Sequence, residues 1–543
     1  MKRVVVVWEG FGFFLFHFIS SSLSVTTLLQ FQRERERERE REMEGANGGV
    51  IGGVIFHHSL LFHDDIANPA ADSLLRKLRH SAIPTAISHG PGISSHKINL
   101  LKKMAALYSM DCFSLDPSSS SLQDAINDIM LAWNHVRETI LLLLSDDDKE
   151  LFNKPPNCKW QIVALSASPC DASSIYNINK LEELPLTICR LNKKAVGDNV
   201  VTVGYIMKPS REEDFAKRGA FPMYPTHNGL MFFPLTFDLP LTPQLQEADL
   251  ILHKATDEIV SVELSDSAEF LNKITYTTGM EELKRYMDHH VDCCVIDPLS
   301  NIYPVLDRLK IQHILLGLEN LKGASGHLIR GPHFLKVDDY KELSLIRRLS
   351  EAKLSLPCIV KPQVACGVAV AHSMAIVFKD QDFKDLKVPL PAVIQEYVNH
   401  SSILYKFYVL GEKVFYAVKK STPNTDILIK LFGNHDLKPL VFDSLKSLPT
   451  ATGNPHSDSN SSKGNNEHID EDLVTEAAKW LMKNLGLTIF GFDVVIDEGS
   501  GDHVIVDVNY LPSFKEVPDE VAIPAFWNAI KNKWESKPAL MAQ

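Results

Sequence analysis

Cysteine is scarce in this 543-residue sequence: there are eight, and no two form a C-x-x-C pair. That excludes a zinc ribbon and a disulfide-stapled fold, and it fits a reducing compartment. Excess positive charge is absent too, because 56 Lys and Arg face 68 Asp and Glu, for a formal charge of −12. A protein that coats nucleic acid is thereby excluded, and any anionic ligand needs a local basic pocket. The apolar stretch at 11–19 is too short to span a bilayer, and Glu9 lies beside it. No G-x-x-x-x-G-K-[ST] occurs, so a P-loop is excluded. What remains is an ordinary soluble composition, 45% apolar and 23% charged, enough chain for about three to four folding units.

Residues 1–42 begin with Lys2 and Arg3, pass through the apolar stretch and a serine-rich 20–24, and end in strict Arg-Glu alternation over 33–42. The three regions resemble a signal peptide. The alternation, however, is what a GA repeat in an untranslated leader gives when read in frame. Met43 is therefore the expected start, and 1–42 a gene-model extension or disordered leader.

An apolar run at 50–56, an amphipathic 71–78 and a second apolar step at 84–88 predict a small α/β unit. Residues 122–144 read as a helix and 160–165 as a strand, giving a first domain at 43–195. Within it, Val54-Ile55-Phe56-His57-His58-Ser59 resembles the opening of a haloacid-dehalogenase-like domain, where a strand delivers a D-x-D pair. His57 and Ser59 stand at the two carboxylate positions, so no aspartyl-phosphate can form, and the domain is expected to be structural or regulatory. A His57-His58 metal pair is disfavoured, because adjacent strand residues point to opposite faces. The pattern restarts with strands at 201–207, 249–253 and 293–297. Residues 451–468, rich in Asn, Ser and Gly, predict a disordered insertion. Leu473, Ala477, Trp480, Leu481 and Leu485 then fall at helical spacing, stopped by Gly486.

Three constellations carry chemistry. Phe490-Gly491-Phe492-Asp493-Val494-Val495-Ile496 and His503-Val504-Ile505-Val506-Asp507-Val508-Asn509 predict a hairpin. Alternation sets Asp507 and Asn509 on one face, and pairing can bring Asp493 across to them. Hard oxygens converging in this way suit Mg²⁺, although acidic residues at strand ends are also ordinary turn chemistry, and Asp497, Glu498 and Asp502 fit that. Second, Cys358-Ile359-Val360-Lys361-Pro362 runs into the small-residue loop 363–372, offering one cation and unobstructed backbone N–H groups to a phosphate tail. Third, the strand-like run from Ala392 through Gln395 to Val398 can offer backbone groups to an adenine edge. Lys406 lies inside an apolar, aromatic strand, where it needs an anion or must snorkel from a sheet edge.

Taken in this order, the segments resemble the ATP-grasp fold, and within it the inositol 1,3,4-trisphosphate 5/6-kinase (inositol-tetrakisphosphate 1-kinase) family. The stretches that carry the resemblance include Ile251-Leu252-His253-Lys254-Ala255-Thr256-Asp257, Val295-Ile296-Asp297-Pro298 with Asp307-Arg308, and Asn509-Tyr510-Leu511-Pro512. The fold class implied is α/β (α+β): an ATP-grasp fold preceded by a degenerate haloacid-dehalogenase-like domain, as in a longer plant-type branch. It divides into an inositol phosphate-binding domain at 196–297, a central subdomain at 298–398 and a carboxyl-terminal subdomain at 399–543.

The resemblance also implies roles. Arg211 and Lys254 would contact the inositol phosphate, together with Gly367, His372, Asn509 and Ser513. Arg308, Lys361 and Lys406 would hold ATP phosphates, Gln395 to Val398 would form the adenine hinge, and Ser421 would lie near the nucleotide. Asp493, Asp507 and Asn509 would bind Mg²⁺, two ions in this family, and with His372 form the catalytic set. Three positions depart from the family pattern: Arg211 for lysine, Cys366 for an acidic residue or histidine, and Ser513 for glycine. The implied activity is transfer of the ATP γ-phosphate to a hydroxyl of an inositol tris- or tetrakisphosphate. The alternatives are an inositol phosphate-binding regulatory protein with weak turnover, or another ATP-grasp ligase. The expected partners are inositol polyphosphate and ATP, with no nucleic acid and no membrane, for a monomer in the cytoplasm or the nucleus.

Overall fold

Leucine-rich and β-branched runs build the amino-terminal part of the chain into a sheet that is apolar on both faces. The computed structural model describes residues 50–63, 66–116, 122–134, 138–151, 158–166, 175–263, 274–323, 326–432, 437–446, 449 and 469–537. The leader at 1–42, Met43 and the insertion at 451–468 lie outside the described residues. Two compact units divide the described chain after Leu252, and among the described residues no helix is long and apolar enough to cross a membrane.

In the amino-terminal unit, β1 (Ile51–His57), β2 (Thr85–His89), β3 (Asp111–Ser114), β4 (Thr139–Ser145), β5 (Trp160–Leu165) and β6 (Ile175–Ile178) form one parallel sheet. Its order is β3-β2-β1-β4-β5-β6. The span 122–144 is not a single helix: the helix Leu122–Ala132 stops, and Thr139–Ser145 is a strand beside β1. An unbroken run such as Ile140-Leu141-Leu142-Leu143-Leu144 fits a strand buried on both faces as well as it fits a buried helix, so periodicity does not separate the two. Strands β7 (Val201–Ile206), β8 (Leu230–Pro234) and β9 (Leu250–His253) follow, with β7 between the other two. The helix Leu184–Val196 buries Asn192, which accepts from Ile51 N at 2.7 Å and donates to Met223 O at 3.1 Å. One amide thus ties β1 to the segment that leads into β8.

The carboxyl-terminal unit is built on two five-stranded sheets. The strands of these two sheets, in chain order, are β10 (Ile329–Arg330), β11 (Phe334–Val337), β12 (Cys358–Pro362), β13 (Ser373–Val377) and β14 (Ala392–Glu396). Then come β15 (Ile403–Leu410), β16 (Lys413–Lys420), β17 (Leu440–Asp443), β18 (Ile489–Ile496) and β19 (His503–Tyr510). One sheet runs β10-β19-β18-β15-β16 and the other β11-β14-β12-β13-β17. The second sheet buries Val337, Val360, Ala375, Phe383 and Ile394 in one apolar core. In the first, Phe407 and Phe492 stack at 5.2 Å between neighbouring strands. Gly491 has to be glycine, because a Cβ there would lie 2.9 Å from Phe407 O and 3.1 Å from Pro512 Cγ. The helix Glu471–Leu485 ends at Gly486 with φ +66°, a left-handed cap that the sequence signalled.

Candidate active site

The hairpin of β18 and β19 sets Asp493 directly opposite Asp507, and on its other side Asp493 faces Lys406 of β15. A cation and two carboxylates therefore form one row across three strands. Lys406 Nζ lies 3.7 Å from Asp493 Oδ1, the anion that a lysine inside an apolar strand requires. Burial pushes the Asp493 carboxyl up to about 6, and Asp507 pushes the same way against Lys406 and Lys361. Asn509, two residues beyond Asp507 on the same face, donates its amide nitrogen to Asp507 Oδ2 at 2.9 Å. Its carbonyl oxygen is then the ligand atom it has to offer. Two carboxylates and one amide oxygen make a hard donor set that fits Mg²⁺. Among the described residues no group of three or more His, Cys, Asp or Glu is placed to hold a metal. Mg²⁺ in a nucleotide site draws its remaining ligands from phosphate and water.

From the other sheet, Lys361 at the end of β12 reaches Val506 O at 3.2 Å. Burial lowers its ammonium to about 8, while Asp507 draws it back up. The loop that follows is clamped by Arg308, whose guanidinium donates to the carbonyls of Pro362 (2.6 Å), Val364 (2.8 Å), Ala371 (3.2 Å) and Ala365 (3.3 Å). Both ends of its fork are thus occupied by the loop backbone. Gly367 sits at φ +88°, where a Cβ would lie 2.7 Å from Ile259 Cδ1, so the loop packs down at that point. Burial pushes the Cys366 thiol up, and Lys254 and Arg308 pull it back. His372 closes the loop with Nδ1 3.3 Å from Ser444 Oγ, its pKa lowered by burial and by Arg308.

On the hinge strand β14, Gln395 is buried and its Nε2 finds no partner among the described residues. The Val398 carbonyl already accepts from His400 Nδ1 at 2.6 Å, and its side chain packs on Val495 and Val504. Ser421 is held by its backbone N–H on Ser402 O at 2.7 Å. Lys254 donates to the Tyr510 carbonyl. Ser513 lies between Leu511 at φ +41° and Phe514 at φ +36°, both left-handed without being glycine. Arg211 belongs to the amino-terminal unit, on the helix Pro209–Ala216.

Sequence reasoning missed Arg330. It lies 2.7 Å from Glu396 Oε1, 3.6 Å from Asp502 Oδ2 and 4.0 Å from Asp497 Oδ2, so it joins the hinge strand to the turn of the Asp493–Asp507 hairpin. Its strand spans two residues, too short for a periodic signal, and Glu396 is 66 positions away. In the amino-terminal unit, His57 and His58 bond to each other (Nε2 to Nδ1, 3.1 Å), and His57 Nδ1 lies 3.0 Å from Ser59 Oγ and 3.3 Å from Asp148 Oδ2. The D-x-D positions thus carry two imidazoles and a hydroxyl hydrogen-bonded beside the Asp148 carboxylate, with burial lowering His57 and holding His58 near 4.

Two largely antiparallel sheets, with one parallel pair at Ile329–Arg330, meet on a lysine-flanked acidic hairpin, as in an ATP-grasp fold. Residues 324–527 match the inositol 1,3,4-trisphosphate 5/6-kinase ATP-grasp domain, and residues 44–194 match the ITPK4 N-terminal HAD-like domain. Inositol-tetrakisphosphate 1-kinase 6 of Oryza sativa subsp. indica is 48% identical over 477 residues, 86% of this chain and 85% of that protein. Inositol-tetrakisphosphate 1-kinase of Danio rerio is 29% identical over 297 residues, 54% of this chain and 69% of that protein. The chain belongs to the inositol-tetrakisphosphate 1-kinase family, in a form with an amino-terminal HAD-like domain.

Proposed function

We propose that the chain transfers the γ-phosphoryl group of ATP to a hydroxyl of an inositol tris- or tetrakisphosphate. The observation that carries this is the row Lys406, Asp493, Asp507 with Lys361 beside it. Phosphoryl transfer through a loose transition state depends on positioning and charge neutralisation, and that row supplies both signs of charge at one place. Asp493, Asp507 and Asn509 would hold two Mg²⁺ ions, which when bound neutralise phosphate charge. Lys361 and Lys406 hold the phosphate tail of ATP, and the loop 363–372 presents its N–H groups to it. Arg308 acts by fixing that loop, since its fork is bonded to the Pro362 carbonyl at the end of β12 and to three loop carbonyls. The buried amide of Gln395 and the backbone of the hinge through Val398 take the adenine, with Ser421 nearby. Lys254, His372, Gly367, Asn509 and Ser513 hold the inositol phosphate. The region 43–195 is non-catalytic, because His57 and Ser59 offer no carboxylate nucleophile.

Incubation of the purified chain with ATP, Mg²⁺ and a panel of inositol tris- and tetrakisphosphates, with chromatographic separation of products, tests the proposal. One additional phosphate on at least one acceptor is expected. ATP consumption only with a carboxylate and an amine present would assign a ligase instead.

A further inference from the structure

Tyr510 has no role in the assignments above, yet it joins several segments of the site. Its carbonyl accepts the Lys254 ammonium, and that ammonium also lies 4.9 Å from the centre of its ring. The ring is itself locked. Its buried hydroxyl accepts from Asp297 N at 2.8 Å and lies 2.9 Å from both His253 O and Ile296 O, either of which can take its proton. The Asp297 carboxylate in turn accepts from Thr488 N at 2.8 Å and Thr488 Oγ1 at 2.6 Å, one residue before the strand that carries Asp493. Tyr510 directly follows Asn509, so one peptide unit separates the last oxygen ligand of the hairpin from the residue that seats Lys254.

We infer that Tyr510 is a positioning residue that seats Lys254 against the Asp507–Asn509 strand and so sets the acceptor phosphate relative to the γ-phosphate of ATP. This rests on the assignment of Lys254 to acceptor binding. A lysine side chain is long and flexible, and without a seat it loses rotamer freedom each time a phosphate binds. An aromatic face and a fixed carbonyl remove that loss beforehand, which raises affinity for the acceptor without touching the nucleotide. Lys361 and Lys406, the cations assigned to ATP, are engaged elsewhere, on Val506 O and Asp493 Oδ1.

Steady-state kinetics of the full chain with Mg-ATP and inositol 1,3,4-trisphosphate test the inference. Tyr510→Leu removes the ring and hydroxyl, and is expected to raise the acceptor KM about tenfold while the ATP KM stays within about twofold. Tyr510→Phe keeps the ring and loses the hydroxyl bonds; it should raise the acceptor KM about threefold, and it carries the test if Tyr510→Leu does not fold. Because the two residues act together, Lys254→Met with Tyr510→Leu should be no worse than Lys254→Met alone. A wild-type acceptor KM in both Tyr510 variants beside a raised one in Lys254→Met overturns the inference and leaves the Lys254 assignment standing. An unaltered acceptor KM in Lys254→Met removes the assignment and the inference with it. An equal rise in ATP KM in the Tyr510 variants overturns the inference by reducing Tyr510 to general support of the site.

Discussion

Arg308 shows most clearly what a single residue discloses and what it withholds. A buried cation after an Asp-Pro motif looks like a phosphate ligand, but its two terminal nitrogens bond the Pro362 carbonyl and three loop carbonyls, with only Nε lacking a partner among the described residues. A lysine has one compact donor head where arginine has a planar fork, so it cannot bridge those carbonyls. Arg308→Lys should therefore loosen the loop and raise the ATP KM by about tenfold with a smaller change in kcat, measured by initial rates at varied ATP. An unchanged ATP KM would show that the clamp does not act on the nucleotide. Lys406 was legible in the opposite sense. Its setting demanded an anion, and only strand register, which is not written locally, identifies that anion as Asp493. Asp507 and Asn509 were placed on one face correctly because alternation along a strand is a local property.

At the scale of elements, hairpins and capped helices were readable, since turn residues and the stop at Gly486 act over a few positions. The span 122–144 was not, because 140–144 is an unbroken apolar run, and its identity as a strand is settled by the strands on either side of it. The two-residue strand bearing Arg330 was invisible for the opposite reason: it is too short to carry a pattern. Asn192 falls in the same category, a polar residue whose burial on the helix Leu184–Val196 is explained only by partners far along the chain. Asn192→Ala leaves Ile51 N and Met223 O without their partner and should cost about 3 kcal/mol of stability in the amino-terminal unit. Calorimetry of the variant checks it, and an unshifted first transition would contradict it.

Over the whole molecule, stability should depend on pH through groups that folding buries. His253 is fully buried, and burial depresses its folded pKa to about 4 from 6.5. A depressed histidine contributes stability that is complete above the unfolded pKa and is lost as pH falls from 6.5 towards 4. Asp297 has the opposite sign: burial raises it to about 6, so its contribution is present below about 4 and is lost as pH rises towards 6. A difference measurement separates them. His253→Asn should lose less stability than the wild type between pH 7 and pH 5, read as urea unfolding midpoints at the two values. A variant that tracks the wild type over that interval would contradict the assignment of the acid loss to His253.

The central claim is that the oxygens of one hairpin, acting with lysines from both sheets, support phosphoryl transfer to an inositol phosphate. The most direct test follows ³²P from the γ-position of ATP into inositol 1,3,4-trisphosphate or an inositol tetrakisphosphate, for the wild type and for Asp507→Ala with a wild-type unfolding midpoint. The wild type is expected to label the acceptor only when Mg²⁺ is supplied, and Asp507→Ala to be slower by at least about 10²-fold in kcat. Equal labelling by a folded Asp507→Ala would contradict the account.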